Sequence, residues 1–249
     1  MNIPDYNKSS MLLWHPVVSK LDIPQPRTVT LIINGPAQSY IDAEKTNFES
    51  LPWEEIRKCA DSIGYPLFFR TDQASHKHGW KRGSYIEKPE DLKTHVSDVV
   101  EFNHMVGMFG LPYKAFVFRQ YIPMGSTFTA FYGDMPVNPE RRYFIGEGKV
   151  VCRHEYWVEG AIQNASVPDW KEKLALLNRQ PEYEKILLGD YAEQVSRALP
   201  GDWSVDFCRD SMGKWWLIDM AAADASFHVP GCPNNRWNAE MMDKYLEGD

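Results

Sequence analysis

One run of aromatic and β-branched residues, Trp203-Ser204-Val205-Asp206-Phe207-Cys208, is answered by another, Trp215-Trp216-Leu217-Ile218-Asp219-Met220, across Arg209 to Lys214. Two such runs flanking a turn-forming Asp210-Ser211-Met212-Gly213 cluster predict a β-hairpin. A turn centred between Met212 and Gly213 sets Asp206 opposite Asp219. Directly opposed side chains have Cβ atoms roughly 5 Å apart, where like charges are destabilising. A divalent cation between the carboxylates would remove the conflict, because hard cations take carboxylate oxygens. The other solution is an off-centre turn that leaves both aspartates solvated on an open face.

The 249 residues, 43% hydrophobic and 24% charged, suffice for one large domain or two small lobes with a sizeable core. A net charge of −7 argues against a nucleic-acid partner. No apolar run approaches the roughly 20 residues a membrane span needs. Met1-Asn2-Ile3-Pro4-Asp5 lacks the plan of a signal peptide, and Cys59, Cys152, Cys208 and Cys232 form no C-x-x-C. These features lead to the expectation of a cytoplasmic protein with reduced thiols.

Along the chain, residues 1–26 read as irregular, punctuated by Pro4, Pro16, Pro24 and Pro26. Thr28 to Ile33 reads as a strand that Asn34-Gly35-Pro36 breaks. A helix then opens at Ser50-Leu51-Pro52, capped by Ser50, with Ile56, Cys59, Ala60 and Ile63 as its stripe and Gly64 as its stop. Tyr65 to Arg70 and Tyr85-Ile86 read as strands on either side of a polar basic loop, residues 71–84. A second helix starts near Leu92 with Val96, Val99, Val100 and Phe102 inward, and Lys114 to Ile122 is a strong strand. Arg141 to Cys152 reads as a hairpin, and residues 169–199 as helix broken at Pro181. Its expected core is Leu174, Leu177, Ile186, Leu187, Tyr191, Val195 and Leu199. A short helix is expected near residues 238–246. Hairpins mixed with single helices indicate α+β, with helices on one face of each sheet.

This succession resembles the ATP-grasp superfamily. Leu21-Asp22-Ile23-Pro24-Gln25-Pro26-Arg27-Thr28 resembles its "IPxPxT" opening, and Ile63-Gly64-Tyr65-Pro66-Leu67-Phe68-Phe69-Arg70 its "lGYPvvvK" strand. Phe116 to Ile122 is similar to the strand into the interlobe hinge. Glu140-Arg141-Arg142-Tyr143-Phe144-Ile145 with Gly148-Lys149-Val150 resembles "E-x-R-x-F" followed by "GK", and Asp206 to Asp219 resembles the metal hairpin. The hairpin looks like the divergent branch that includes the cell-division-cycle-type chaperone of translation initiation factor assembly. It also looks like the phage-associated clade with arginine in place of the first nucleotide-binding lysine. The implied architecture is one ATP-grasp unit over residues 1–249. Residues 20–115 would clasp the nucleotide, 116–228 would form the metal-binding lobe, and 229–249 a tail.

The resemblance implies ATP and Mg²⁺ as cofactors. It sets Arg70 against the α-phosphate, where a guanidinium offers bidentate geometry. Lys77 and Lys81 lie in the loop that would close over the phosphates, and the sequence leaves open which of them meets the β- or γ-phosphate. Arg119, Gln120, Tyr121 and Ile122 would form the hinge at the adenine, walled by Leu67, Phe69, Phe118 and Leu217 or their neighbours. Arg142, with Lys81, is the catalytic candidate, since a transferring phosphoryl group spreads charge that arginine neutralises. On a strand Arg142 shares a face with Phe144. Arg153 and His154 would line the acceptor side, and Ser226 and His228 are further cleft candidates. His76 and His78 lack a third ligand and have basic neighbours, which argues against a metal pair. Asp206 and Asp219 are the expected Mg²⁺ ligands. Where the family has an asparagine this chain has Ala221, so Asp224 or water would have to complete the coordination. Cys232 lies beyond the motifs and reads as inert.

The implied activity is an ADP-forming carboxylate–amine (or related nucleophile) ligase working through an acyl phosphate. The alternative is an ATP-binding assembly chaperone or binding protein without turnover, and a third is direct phosphoryl transfer. Only some 20 residues precede the first motif, so the acceptor site would be built from the grasp lobes, the tail or another chain, which favours a large acceptor such as a peptide or protein.

Overall fold

The computed structural model describes residues 8–33, 41–42, 45–46, 48–105 and 113–240. The turn expected at Asn34-Gly35-Pro36 and most of the helix expected near 238–246 lie outside these residues.

The strands are β1 (Thr28–Ile32), β2 (Ile41–Asp42), β3 (Lys45–Thr46), β4 (Leu67–Thr71), β5 (Tyr85–Ile86) and β6 (Ala115–Gln120), followed by β7 (Phe128–Ala130), β8 (Met135–Val137), β9 (Glu140–Gly146), β10 (Lys149–Glu155), β11 (Trp203–Arg209) and β12 (Trp215–Ala222). Two antiparallel four-stranded sheets carry the fold, in orders β1-β6-β4-β5 and β10-β9-β11-β12, while β2-β3 and β7-β8 are small separate ladders. β6 is a central strand of the first sheet, and it begins at the expected lobe boundary.

Helices α2 (Trp53–Ile63) and α3 (Leu92–Met105) cover the first sheet. Their apolar stripes, Ile56, Ala60 and Ile63 with Leu92, Val96, Val99 and Val100, close over Leu67, Phe69, Phe116 and Phe118. Fully burying side chains of this size contributes about 1.5–3 kcal/mol each. The α2 cap differs from expectation: Phe48–Ser50 forms its own 3-10 turn, and Pro52 occupies the N-cap position without a side-chain hydrogen bond.

The second sheet is covered by α5 (Glu182–Ala198), which follows the shorter α4 (Trp170–Leu177). Leu188, Ala192 and Val195 pack on Tyr143, Ile145, Val205, Phe207 and Leu217. Ile186 and Leu187, expected in this core, are 59% and 37% exposed, because the buried stripe runs through Leu188 instead.

Residues 11–18 are not irregular but form α1 (Met11–Val18), with Pro16 inside it. Ser10 caps it, its Oγ accepting from Leu12 N–H at 3.2 Å. Trp14 and Val18 are fully buried against α5, and this burial outweighs the one helical bond that proline removes. Among the described residues no helix is long and apolar enough to cross a membrane.

Candidate functional site

Strand alternation decides what faces the space between the sheets. On β4, Leu67 and Phe69 enter the first core, so Phe68 and Arg70 face the cleft. On β11, Val205 and Phe207 enter the second core, so Asp206 and Cys208 face it. On β12, Trp215 and Leu217 are core residues, and unbroken alternation would send Asp219 inward after them. The register prevents this. Phe207 pairs with Leu217 but Asp206 pairs with Asp219, so Ile218 is an extra, bulged residue. Ile218 and Asp219 both reach the cleft, and Met220 returns to the core. The turn itself is centred on Met212, with Arg209 opposite Trp215, rather than between Met212 and Gly213. The bulge restores the expected opposition of the aspartates. Asp210 holds the turn, its Oδ1 accepting from the N–H groups of Met212 at 2.9 Å and Lys214 at 2.8 Å.

Each opposed carboxylate has a guanidinium partner. Arg142 donates from Nε and Nη2 to the two oxygens of Asp206, both at 2.8 Å, and from Nη1 to the carbonyl of Phe227 at 3.1 Å. Arg70 Nη1 lies 2.7 Å from Asp219 Oδ2. The like-charge conflict is therefore balanced within the chain by two arginines. Burial alone would raise the Asp219 carboxyl, but Arg70, with Arg119 and Lys77 behind it, holds it below the usual carboxylate range. Burial pushes the Arg119 guanidinium down to about 10, and its Nη1 donates to the carbonyl of the bulged Ile218.

Lys77 opens a 3-10 turn, Lys77–Gly79, within the basic loop. Its Nζ donates to Tyr156 Oη at 2.7 Å and lies 5.1 Å from the centre of the Trp157 ring. Burial disfavours its charge, but Tyr156, Glu140 and Asp206 outweigh that and hold the ammonium above its ordinary value. Glu140, on the same face of β9 as Arg142, is 4% exposed and lines the cleft. Burial raises its carboxyl to about 7, with Lys77 opposing the rise and Asp206 adding to it. The β7-β8 hairpin fixes the loop from below: Gly133 N–H donates to His78 O at 3.0 Å, and Gly133 lies too close to the backbone of Gly79 and Trp80 to carry a side chain.

The cleft encloses about 800 Å³ including its mouth. Arg70, Lys77, Arg119, Gln120, Tyr121, Ile122, Asp206 and Asp219 all line it, and Arg142 reaches it through Asp206. Lys81 does not; it points outward to Asp134 Oδ2 at 2.5 Å. Leu217 is fully buried in the second core, and Leu67, Phe69 and Phe118 in the first. The apolar lining is instead their cleft-facing neighbours Phe68, Trp80, Tyr121, Ile122, Met135 and Ile218. Asp224 pairs with Lys8 at 3.3 Å, and Ser226 Oγ lies 2.6 Å from Ser204 Oγ. Arg153 is exposed, while His154 and His228 pack on each other with ring centres 4.7 Å apart. His76 stacks on Phe102 and His78 on Phe131.

Three lining residues to which the sequence assigns no role stand out: Glu140, Trp157 and Asn138. The signal for Glu140 is present in the sequence, since alternation puts residues 140 and 142 on one face. Trp157 Nε1 and Asn138 Oδ1 are buried without a hydrogen-bond partner, polar atoms at the cleft wall that a ligand could satisfy. Three cations for phosphate, three carboxylates for a hard cation, and flat apolar surfaces for a base together suit a nucleotide and its metal.

No curated protein sequence matches the chain. Among solved structures, C-terminally truncated Cdc123 from Schizosaccharomyces pombe aligns at 14% identity and TM-score 0.53, over 90% of this chain and 88% of that one. A biotin carboxylase complex from Campylobacter jejuni aligns at 17% identity and TM-score 0.50, over 94% of this chain but 45% of that one. The RimK domain ATP-grasp protein from Sphaerobacter thermophilus aligns at 13% identity and TM-score 0.46, with 86% of this chain on 58% of that one. The chain thus spans about half the length of the last two. The first two likenesses, at these identities, show the fold. The family model for an ATP-grasp domain, family 3 of the R-2-K clade, matches residues 60–239, most of the chain, and the chain belongs to that family.

Proposed function

We propose that the cleft binds ATP with Mg²⁺ and that the chain is an ATP-grasp carboxylate ligase. The observation that carries the reading is the convergence of Arg70, Lys77 and Arg119 with Glu140, Asp206 and Asp219 under an apolar lining. The adenine would lie against Phe68, Tyr121, Ile122 and Ile218, next to the segment 121–123 where the chain leaves the β6 ladder. Arg70 and Lys77 would take phosphate oxygens, the first by exchanging Asp219 for an oxyanion. Asp219, Asp206 and Glu140 would hold Mg²⁺, which tolerates several waters and so does not require the asparagine replaced by Ala221. The bound cation supplies charge neutralisation for phosphoryl transfer.

Arg142 is held rigidly by Asp206 and Phe227, with its guanidinium carbon 4.6 Å from the centre of the Tyr156 ring. A preorganised guanidinium of this kind stabilises the γ-phosphoryl group as it moves to a carboxylate oxygen. The resulting acyl phosphate would then be attacked by an amine or related nucleophile of a peptide or protein acceptor.

A second reading, an ATP-binding assembly protein without turnover, is favoured by one observation. Both candidate metal-binding aspartates are already neutralised by arginine. Incubation with ATP, Mg²⁺ and a pool of amino acids, peptides and cell extract separates the two. Acceptor-dependent release of ADP and phosphate supports the ligase. Tight ATP binding with no turnover in any fraction supports the second reading and removes the first.

A further inference from the structure

The segment that follows β12 packs on the second sheet, with His228 and Trp237 against Phe144, and brings together four side chains that the nucleotide cleft does not use. Cys152 and His154 come from β10, His228 and Cys232 from the segment that follows β12, and one ligand atom from each lies within 4.8 Å of all the others. Among the described residues this is the one such cluster of cysteine, histidine and acidic groups. The β10 strand is shaped for it. Val150 pairs with Ile145 and packs toward the second core, and plain alternation would turn Cys152 the same way. A register shift between Val150 and Cys152 sets Cys152 opposite Phe144 and His154 opposite Arg142 instead, on the non-core face.

The polar atoms of the cluster are arranged as ligands. His228 is fully buried, and its Nδ1 donates to the carbonyl of Val229 at 3.3 Å. A carbonyl can only accept, so the proton sits on Nδ1 and the Nε2 lone pair faces Cys152 Sγ at 3.1 Å. A carbonyl behind the ring in this way is what fixes a metal-binding imidazole. His154 Nε2 is buried with no hydrogen-bond partner. Tetrahedral zinc with bonds of about 2.0–2.3 Å holds its ligand atoms roughly 3.3–3.8 Å apart, so small side-chain movements close the cluster on an ion. Two thiols and two imidazoles are a borderline-soft set that suits zinc and not magnesium or calcium.

We infer that Cys152, His154, His228 and Cys232 form a four-ligand zinc site that clasps the C-terminal segment to the second sheet. Zinc entry displaces one proton from each thiol, so the ion and two thiolates make a neutral centre, and no redox partner is needed. Arg142, whose charge is felt by both His154 and His228, has that charge met by Asp206. All four protein ligands are supplied, which leaves no open position and makes the site structural. It also braces the nucleotide cleft, because Phe227, next to His228, gives its carbonyl to Arg142. The site requires nothing of the ligase reading.

The test is elemental analysis of the whole chain purified under reducing conditions without chelator. About one zinc per chain is expected, falling below a tenth of that in Cys152→Ser and in Cys232→Ser but unchanged in the remote Cys59→Ser. Cobalt should replace zinc and give the visible bands of a tetrahedral thiolate complex together with near-ultraviolet thiolate charge transfer. Should the serine variants not fold, a chelator is added to the wild-type chain, and two further thiols are expected to become reactive to a thiol reagent as zinc leaves. Zinc content that is the same in wild type and variants, no cobalt spectrum, or no chelator-released thiols would overturn the site. A Cys152–Cys232 disulfide that forms without metal and leaves reduced protein unable to bind cobalt would overturn it too.

Discussion

Asp219 and Asp206 hold equivalent places in the hairpin but differ in what their loss does. Asp206 is buried in a bidentate pair with Arg142, and removing one partner of such a pair costs about 3–5 kcal/mol. Asp206→Asn therefore mixes folding with function. Asp219 is 35% exposed and meets Arg70 through one oxygen, so Asp219→Asn keeps an acceptor for Arg70 while losing charge. Calorimetric titration is expected to show ATP binding weakened at least about tenfold in Mg²⁺, about 1.4 kcal/mol, in a variant that still melts cooperatively. Equal affinities would remove Asp219 from the metal site. Glu140 offers a pH-resolved test. Its folded carboxyl is raised from 4.5 to about 7, so the unfolded chain ionises first. The stability it confers is whole below pH 4.5 and is lost as pH rises through 7, a change on the order of 3 kcal/mol. Glu140→Gln is expected to gain stability relative to wild type across that window in urea melts. A difference that does not vary with pH would show that Glu140 is not buried in this way.

At the scale of elements, two bulges redirect side chains in a way that periodicity cannot foresee. The extra Ile218 turns Asp219 from the core to the cleft, and a register shift in β10 turns Cys152 away from the core, opposite Phe144. Deleting Ile218 is expected to leave Asp219 on the cleft face, because Leu217, Asp219 and Met220 then alternate without a bulge, and calorimetric titration should still detect ATP binding, weakened by the lost apolar contact of Ile218. A folded deletion variant with no ATP binding would contradict this register. The hairpin, the α2 and α3 stripes and the break at Pro181 were legible because local propensity and tertiary burial agree there. In Lys185-Ile186-Leu187-Leu188-Gly189, three adjacent apolar residues fit more than one helical face, and only packing chooses Leu188. Leu188→Ala is expected to lose about 2–5 kcal/mol and Ile186→Ala under about 0.5 kcal/mol in denaturant melts. The prolines hid α1, whose helicity comes from Trp14 and Val18 docking on α5. Resemblance to the family brought most of the cleft residues forward, but it assigned Leu217 and Lys81 one strand face and one loop position away from the cleft. Glu140 and the aromatic walls needed the two sheets to be brought together in space.

The whole molecule is two sheets that each bury one face under helices and leave the other for a shared cleft. The segment 123–125 ties them, with Pro123 O accepting from Ser211 N–H at 2.9 Å and Gly125 N–H donating to Arg209 O at 3.1 Å. The loop that carries Lys77 comes from the first sheet but is held by Tyr156 and Gly133 from the C-terminal half. A ligand in the cleft thus touches both sheets, and its binding free energy adds to the stability of their association. Lys77 is the residue through which that claim is most directly tested, because it meets both halves without belonging to either core. The measurement is calorimetric titration of ATP with Mg²⁺ into the whole chain and into Lys77→Met, which keeps the apolar stem. One ATP per chain is expected, with affinity at least about tenfold weaker in the variant. No binding to the wild-type chain, or equal binding to both, would contradict an ATP site between the sheets.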